Sequence, residues 1–473
     1  MDITIILILT AAAVLLRLAS LKINRTMLLL TASILAVYWL QPALPIRYLD
    51  FWLPTAVMSL VGIGWVITTP EVEYGRRENL ITAVWMLLLV TLLAATRNLG
   101  YQEIFTASRP PQISQVLVAL ALTAAIALFL MKVKGERSPV LWGYFAVILL
   151  IFIVIKTPDF AIAASRGLHT LMGQNAGRAT AFDIRWLGYS YIAFRLIHTI
   201  RDRQSGRLPV VSLGEYVVYM LFFPALSAGP IDRIERLIKD LQKPLQLSAD
   251  DFLVGGRRIV IGLFKKFVVA DALALLSINQ DAVSQATGDG WLLLMLYAYS
   301  FQIFFDFSGY TDIAIGLGKL MGVNLPENFN RPYRQVNLTQ FWNNWHMTLT
   351  QWLRAYVFFP LTRSLRRGKV KLPGWSIILI TQVVTMGLIG LWHGITPGFL
   401  IWGLWHGLGL FIQNRWSEWV RPKVAALNNH PVVSTLLSAA GVLLTFHYVT
   451  LGWAWFALPD EAQALQVLVR LFS

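Results

Sequence analysis

The chain has 473 residues, 56% of them hydrophobic and only 14% charged, which is more apolar surface than a water-soluble fold can bury. Its net charge of +15 comes without any nucleic-acid-binding motif, so nucleic acid is not expected as a partner and the basic residues are read as setting orientation in a bilayer. Cysteine is absent, which excludes disulfides, thiolate metal sites and a cysteinyl acyl-enzyme.

Apolar runs of spanning length recur from end to end. In the first half they cover 3–18, 27–44, 51–69, 80–96, 113–131, 139–155, 183–200 and 212–229. The first lacks a small-residue cleavage site and is expected to be a retained helix, not a signal peptide. The links alternate in charge: Arg17, Lys22 and Arg25 fill the first, Lys132, Lys134 and Arg137 the fifth, and Arg201, Arg203 and Arg207 the seventh. If these links are cytoplasmic, the N-terminus faces outward, and the dense cluster Arg363, Arg366, Arg367, Lys369 and Lys371 falls on the cytoplasmic face too.

Further apolar stretches follow at 253–276, 291–320, 338–361, 375–393, 398–416 and 432–457. Glycine and proline interrupt this half at Leu221–Ile231 and Gly322–Pro332. Non-helical backbone at membrane depth is tolerated only where protein buries it or it lines a wet cavity, so re-entrant or tilted pieces around an internal cavity are expected. The reading is an all-α, polytopic integral membrane protein of one domain, 1–473. Within it, 1–200 forms a helical wall, 201–420 carries the catalytic region, and 421–473 contributes a last transmembrane helix and tail.

Three histidines stand in this apolar setting, at 346, 393 and 406. An ionisable residue at membrane depth is a functional-site hypothesis by default, and histidine is suited to exchange a proton near neutral pH. Asn337 with Gln340 resembles a capping box, which would place His346 about two and a half turns into a helix, sharing a face with Asn343 and Thr350. Taken alone, His346 reads equally as an active-site residue or as a satisfied interior histidine, and the neighbouring Trp342, Trp345, Leu349 and Trp352 read as packing. His393 closes a long apolar run before Gly394 and Pro397-Gly398. A last-turn histidine feels the negative end of the helix dipole, which raises its basicity. His406 lies in the following helix beside Trp402 and Trp405 and, in isolation, reads first as structural. His169, His198, His430 and His447 receive no role. The spacings of 47 and 13, without a neighbouring Glu, give no zinc motif, so no metal is expected. A Gly-x-Ser-x-Gly elbow is absent as well. Asp306 and Asp312, in apolar sequence, read as polar pins between helices before any catalytic role.

From Gln302 to Gln413 the sequence resembles the membrane-bound O-acyltransferases, and within them the bacterial branch containing the alginate O-acetyltransferase membrane subunit and the teichoic-acid D-alanyl transfer protein. The resemblance is carried by Phe307-Ser308-Gly309-Tyr310-Thr311-Asp312, Pro326-Glu327-Asn328-Phe329-Asn330-Arg331-Pro332-Tyr333 and Phe341-Trp342-Asn343-Asn344-Trp345-His346-Met347-Thr348. It continues in Gly390-Leu391-Trp392-His393-Gly394 and Trp402-Gly403-Leu404-Trp405-His406-Gly407. Upstream, Phe222-Phe223-Pro224, Ala228-Gly229-Pro230-Ile231 and Gly262-Leu263-Phe264-Lys265-Lys266 also fit. The resemblance implies a ring of transmembrane helices around a central funnel, where a cytoplasmic donor and an external acceptor meet. It places the family's essential histidine at His393 and its second polar position at His346. Asn343, Trp345, Trp392, His406 and Asp312 are then substrate-binding candidates. Two positions depart from the family pattern: the basic-plus-aromatic pair before the first histidine is Asn344-Trp345, and the acidic residue after the later arginine is Ala355.

The expected activity is transfer of an acyl group, acetyl as first choice, from a cytoplasmic thioester to a hydroxyl of an exported polysaccharide or to a partner transferase. His393 serves as general base, with His346 or Asn343 orienting the acceptor or donating to the oxyanion. The donor, acetyl-CoA or an acyl carrier protein, is a substrate; no bound cofactor is expected. The expected surroundings are a bacterial cytoplasmic (inner) membrane and an extracytoplasmic transferase partner. The rival reading is a polysaccharide transporter or flippase, since broken helices and midplane polar residues also mark those. A scaffold in an export complex is the third.

Overall fold

The structure, a computed structural model, describes residues 2–99, 102–133, 138–286, 288–424 and 431–473. Lys134, Arg137 and His430 lie outside the described residues. Regular structure among the described residues is helical throughout, without a β-strand. Among the described residues, seven helices are long and apolar enough to cross a membrane: Leu49–Thr68, Arg77–Asn98, Ile113–Lys132, Pro139–Lys156, Asp289–Leu320, Gly374–His393 and Pro431–Ala457. Shorter apolar helices occupy Ile3–Ala19, Arg25–Leu40 and Leu213–Ala225. The protein is therefore an all-α, multi-pass membrane protein.

Two compact units divide the chain, one comprising Met1–Ile259 with Ile313–Leu325 and the other Val260–Asp312 with Pro326–Ser473. In the first, the helix Leu213–Leu221 is buried along almost its whole length and packs on Arg25–Leu40, Leu49–Thr68 and Arg77–Ala95. A reciprocal cap between Ser212 and Glu215 opens it. Pro224 bars its continuation, so it stops at Leu221 and leaves carbonyls without a helical partner. The buried Arg195 guanidinium takes them, donating to the carbonyls of Tyr219, Met220 and Ala225 at 3.1, 2.7 and 2.8 Å.

Two of the residues read as link charges are internal pins. Arg17 pairs with Asp251 at 3.0 Å, and Arg25 donates to the carbonyls of Asp240, Met321 and Gly322 at 2.8, 2.9 and 3.0 Å. The expected span 183–200 also needs correction, because the helix is Tyr189–Gln204. Residues 183–188 form a loop anchored by Asp183. Burial alone would raise the pKa of that carboxyl, but hydrogen bonds from Ser165 and Thr180 outweigh it and hold the group at about 2. Pro158–Leu171, Ile234–Gln242 and Glu461–Phe472 are helices that the apolar runs did not mark. Each is amphipathic or polar, so a search for spans passes over it.

In the second unit the stretch 338–361, expected as one span, is broken. It comprises Leu338–Asn344, Met347–Leu353, a π-helical turn Arg354–Phe358 and the start of Phe359–Arg367. Gly374–His393 packs along Pro397–Val424 across a short turn. Glycines make it possible. A Cβ on Gly403 would lie 2.5 Å from the Met386 carbonyl, one on Gly407 2.9 Å from Val383 Cα, and one on Gly390 would strike the Phe399 carbonyl. The repeated Gly-Leu-Trp-His-Gly strings are thus the two sides of one backbone contact, the small-residue packing that membrane helices favour.

Gly403→Ala is expected to lower the thermal midpoint of the detergent-purified protein, costing about 1–3 kcal/mol by overpacking, and Gly390→Ala to act likewise. Gly374→Ala, where a Cβ meets nothing within 4 Å, should leave the midpoint unchanged. Equal midpoints for all three would contradict the contact.

Candidate active site

The segment around His346 is shaped by Asn328, which is fully buried. The helix begun at the Asn337 cap ends at Asn344, and Trp345 is extended. His346 adopts a left-handed backbone conformation, with φ 42° and ψ 53°, and the next helix starts at Met347. This corrects the expectation of a mid-helix histidine sharing a face with Asn343 and Thr350. Such backbone is strained for a residue with a Cβ and persists only where its surroundings enforce it. Here the Met347 N–H donates to the Asn328 carbonyl at 2.9 Å. The Thr348 N–H and hydroxyl donate to Asn328 Oδ1 at 3.2 and 2.7 Å.

That arrangement also assigns the histidine tautomer. A backbone N–H can only donate, so the Asn328 atom facing Thr348 is the amide oxygen. His346 Nδ1 lies 3.3 Å from the same oxygen and therefore carries the proton. Nε2 of the neutral ring is left as a bare lone pair, buried and without a protein partner among the described residues.

His393 is the last residue of Gly374–His393, where the helix gives way to the extended Gly394. Its ring lies 4.6 Å from Trp392, 4.8 Å from Phe456 and 5.5 Å from Trp402, centroid to centroid. His346 is held edge-on by Phe307 at 4.7 Å and by Trp392 at 6.0 Å. Both histidines line one cavity of about 30 Å³, whose walls include Trp342, Trp345, Trp402, Trp453, Ile389 and Phe456. Beside it lies a chamber of about 320 Å³ with a mixed lining that includes Thr339, Thr350, Arg354, Gln382, Thr385 and Asn414. Trp342 and Ile389 belong to both walls.

The other candidates separate from this pair to different degrees. Trp345 lines the cavity and stacks on Phe341 at 5.5 Å. Trp392 sits between the rings of His346 and His393 without being part of the cavity lining. His406 is fully buried behind the cavity, against Trp402 at 5.0 Å and Trp342 at 5.1 Å, with neither ring nitrogen bonded to a described residue. Asn343 turns away and accepts from Arg354. Asp312 pairs with Lys265 at 2.6 Å, and Asp306 with Lys266 at 2.5 Å, so neither carboxylate lines the cavity. A grouping of three possible metal ligands, His198, Asp202 and Glu235, lies in the other unit, where Arg207 already pairs with Asp202 at 3.0 Å.

Asn328 is the residue that sequence reasoning passed over. Its signal was a polar run, Glu327-Asn328-Phe329-Asn330, enclosed between prolines in apolar surroundings. Asn328→Ala is expected to cost about 1–3 kcal/mol through unmet donors, read as a lower thermal midpoint. It should also release the Nδ1–H tautomer of His346, read by ¹⁵N-histidine NMR. An unchanged tautomer would show that Asn328 does not set it.

Comparison with known sequences matches the membrane-bound O-acyltransferase (MBOAT) family over residues 79–448. The chain is 35% identical to the teichoic acid D-alanyltransferase of Bacillus subtilis over 278 residues, covering 58% of this chain and 69% of that protein. It is 35% identical to the "Probable alginate O-acetylase AlgI" of Pseudomonas aeruginosa over 289 residues, covering 61% of this chain and 51% of that protein. It is 34% identical to the peptidoglycan O-acetyltransferase of Helicobacter pylori over 285 residues, covering 57% and 50%. A polytopic helical chain whose family match runs through both cavity histidines belongs to the membrane-bound O-acyltransferase family and is an acyltransferase.

Proposed function

We propose that this protein moves an acetyl group from a cytoplasmic thioester, carried by coenzyme A or an acyl carrier protein, to a hydroxyl of an exported polysaccharide. Transfer is direct or through an extracytoplasmic transferase, and the setting is a bacterial inner membrane. The observation that carries the reading is that His346 and His393 line one aromatic-walled cavity beside a larger, partly polar chamber. Two of the three relatives above are named for O-acetylation, of alginate and of peptidoglycan.

In this reading His393 is the general base. It stands in the last helical turn on the cavity wall, and it removes the hydroxyl proton as the oxygen attacks the thioester carbonyl. Help of this kind is worth about 10²–10⁴ in rate. His346, with its proton on Nδ1, offers the Nε2 lone pair to orient the acceptor hydroxyl. The chamber accommodates the arm of the thioester, with Arg354, Gln382 and Asn414 as polar contacts along it. The exposed basic helix end at Arg363, Arg366 and Arg367, continued by Lys369 and Lys371, attracts an anionic donor.

Purified protein supplied with labelled acetyl coenzyme A or acetyl-acyl carrier protein should release or transfer the label. His393→Ala should abolish this while remaining folded. Equal turnover in both proteins, or none in either, would remove the assignment. Reversal of the five basic charges at 363–371 should weaken donor binding at low salt, measured as a raised KM; an unchanged KM would leave them a purely orientational role.

A further inference from the structure

We propose that the indole N–H groups of Trp342 and Trp402 are the oxyanion-binding donors of the transfer reaction, an inference that rests on the acyl-transfer reading above. As the hydroxyl oxygen bonds to the thioester carbonyl carbon, the C=O π pair moves onto oxygen and the hydroxyl proton passes to His393. When that pair re-forms the C=O bond, the C–S bond breaks and the departing thiolate takes the proton from His393. Between these events a full negative charge sits on one oxygen, in a site lined mostly by aromatic carbon, and it needs fixed donors.

The candidates that the sequence suggested for this task are occupied otherwise. His346 directs its only proton to Asn328 and keeps a bare lone pair on Nε2, so the neutral ring has no second N–H to give. Asn343 accepts from Arg354 and is absent from the cavity wall. Of the buried indoles on the cavity wall, Trp342, Trp402 and Trp453 then remain; the N–H of Trp453 has the Tyr333 hydroxyl as its neighbour, which leaves Trp342 and Trp402. Both line the cavity that holds His346 and His393, both are at least nine-tenths buried, and neither Nε1 has an acceptor among the described residues. A buried N–H without a partner is rare in folded proteins and asks for an explanation at each occurrence. Two of them on one small cavity, beside a candidate general base, have a common one.

Size and position agree. A cavity of about 30 Å³ suits a single oxygen-sized group and not a whole substrate. Trp342 stands on the wall shared with the larger chamber, where the carbonyl end of a donor arm would emerge. Trp402 lies edge to face with His393 at 5.5 Å, which puts its ring on the side of the base. Close packing of Trp342 on Trp402, with centroids 5.8 Å apart, gives the two donors a fixed relative position before substrate arrives.

The test uses the full-length protein in detergent with acetyl coenzyme A and acetyl-acyl carrier protein as donors, comparing Trp342→Phe, Trp402→Phe and His393→Ala with wild type. Each Phe variant keeps an aromatic ring and removes the N–H. The expected result is a fall in kcat of about 10²–10³ for each, with KM within about threefold of wild type and the pH dependence of kcat unmoved. Where phenylalanine lowers the thermal midpoint, 3-benzothienylalanine at the same position keeps the bicyclic shape without the N–H, and the same kcat loss is expected. A kcat within about threefold of wild type in both positions, or a loss confined to KM, overturns the inference. If His393→Ala is dead while the Trp variants are active, the oxyanion assignment alone fails. If His393→Ala turns over like wild type, the acyl-transfer reading fails with it.

Discussion

The contact on which the site depends is the backbone approach of Gly374–His393 to Pro397–Val424. In hydrocarbon there is no hydrophobic gain in pressing two helices together, because lipid is as apolar as leucine. What holds them is close packing, and close packing of helices requires the absence of side chains at the crossing. Gly390, Gly403 and Gly407 meet that requirement, since a Cβ at any of them would run into the opposing backbone. The aromatic and imidazole rings that flank these glycines in sequence are thereby forced into one layer, where Trp402 touches both His393 and His406. The same small residues that permit the helix pair also bring its chemistry together.

A second constraint acts on His346. Left-handed backbone at a histidine costs about 1–3 kcal/mol, and the Asn328 side chain and carbonyl supply the hydrogen bonds that hold it. The effect is twofold. The break between Leu338–Asn344 and Met347–Leu353 turns His346 toward the cavity, and the hydrogen bond to Nδ1 selects which nitrogen is bare. Geometry and protonation are set by one residue 18 positions away in the chain.

Several buried charged groups elsewhere follow the rule that burial in a membrane demands a partner. Arg195 closes the broken end of Leu213–Leu221, and Arg17 and Arg25 bind carbonyls and a carboxylate within their own unit. Asp306 and Asp312 are satisfied by Lys266 and Lys265. The indole nitrogens of Trp342 and Trp402 are buried without such a partner on the wall of the cavity that holds the histidine pair, where a substrate group can complete the bonding.

Much of this was legible in the amino-acid order alone. Hydropathy marks a helical membrane protein, because unbroken apolar runs have no other stable setting. The end of the helix at His393 is readable from Gly394 and Pro397, and the ordered strings around 307–407 carry the family. What could not be read is the placement of groups distant in sequence. Nothing local to His346 says that Asn328 will bend the chain there, and helix periodicity predicts the opposite. Nor does the sequence say that Asp312 will pair with Lys265 or that Asn343 will accept from Arg354, since both partners lie well away along the chain. The amino-acid order determined the solvent, the helices and the chemical inventory, since these follow from residues a few positions apart. Only the tertiary structure decided which side chains share the cavity and which ring nitrogens remain free, because those depend on hydrogen bonds and close packing between segments that the sequence keeps apart.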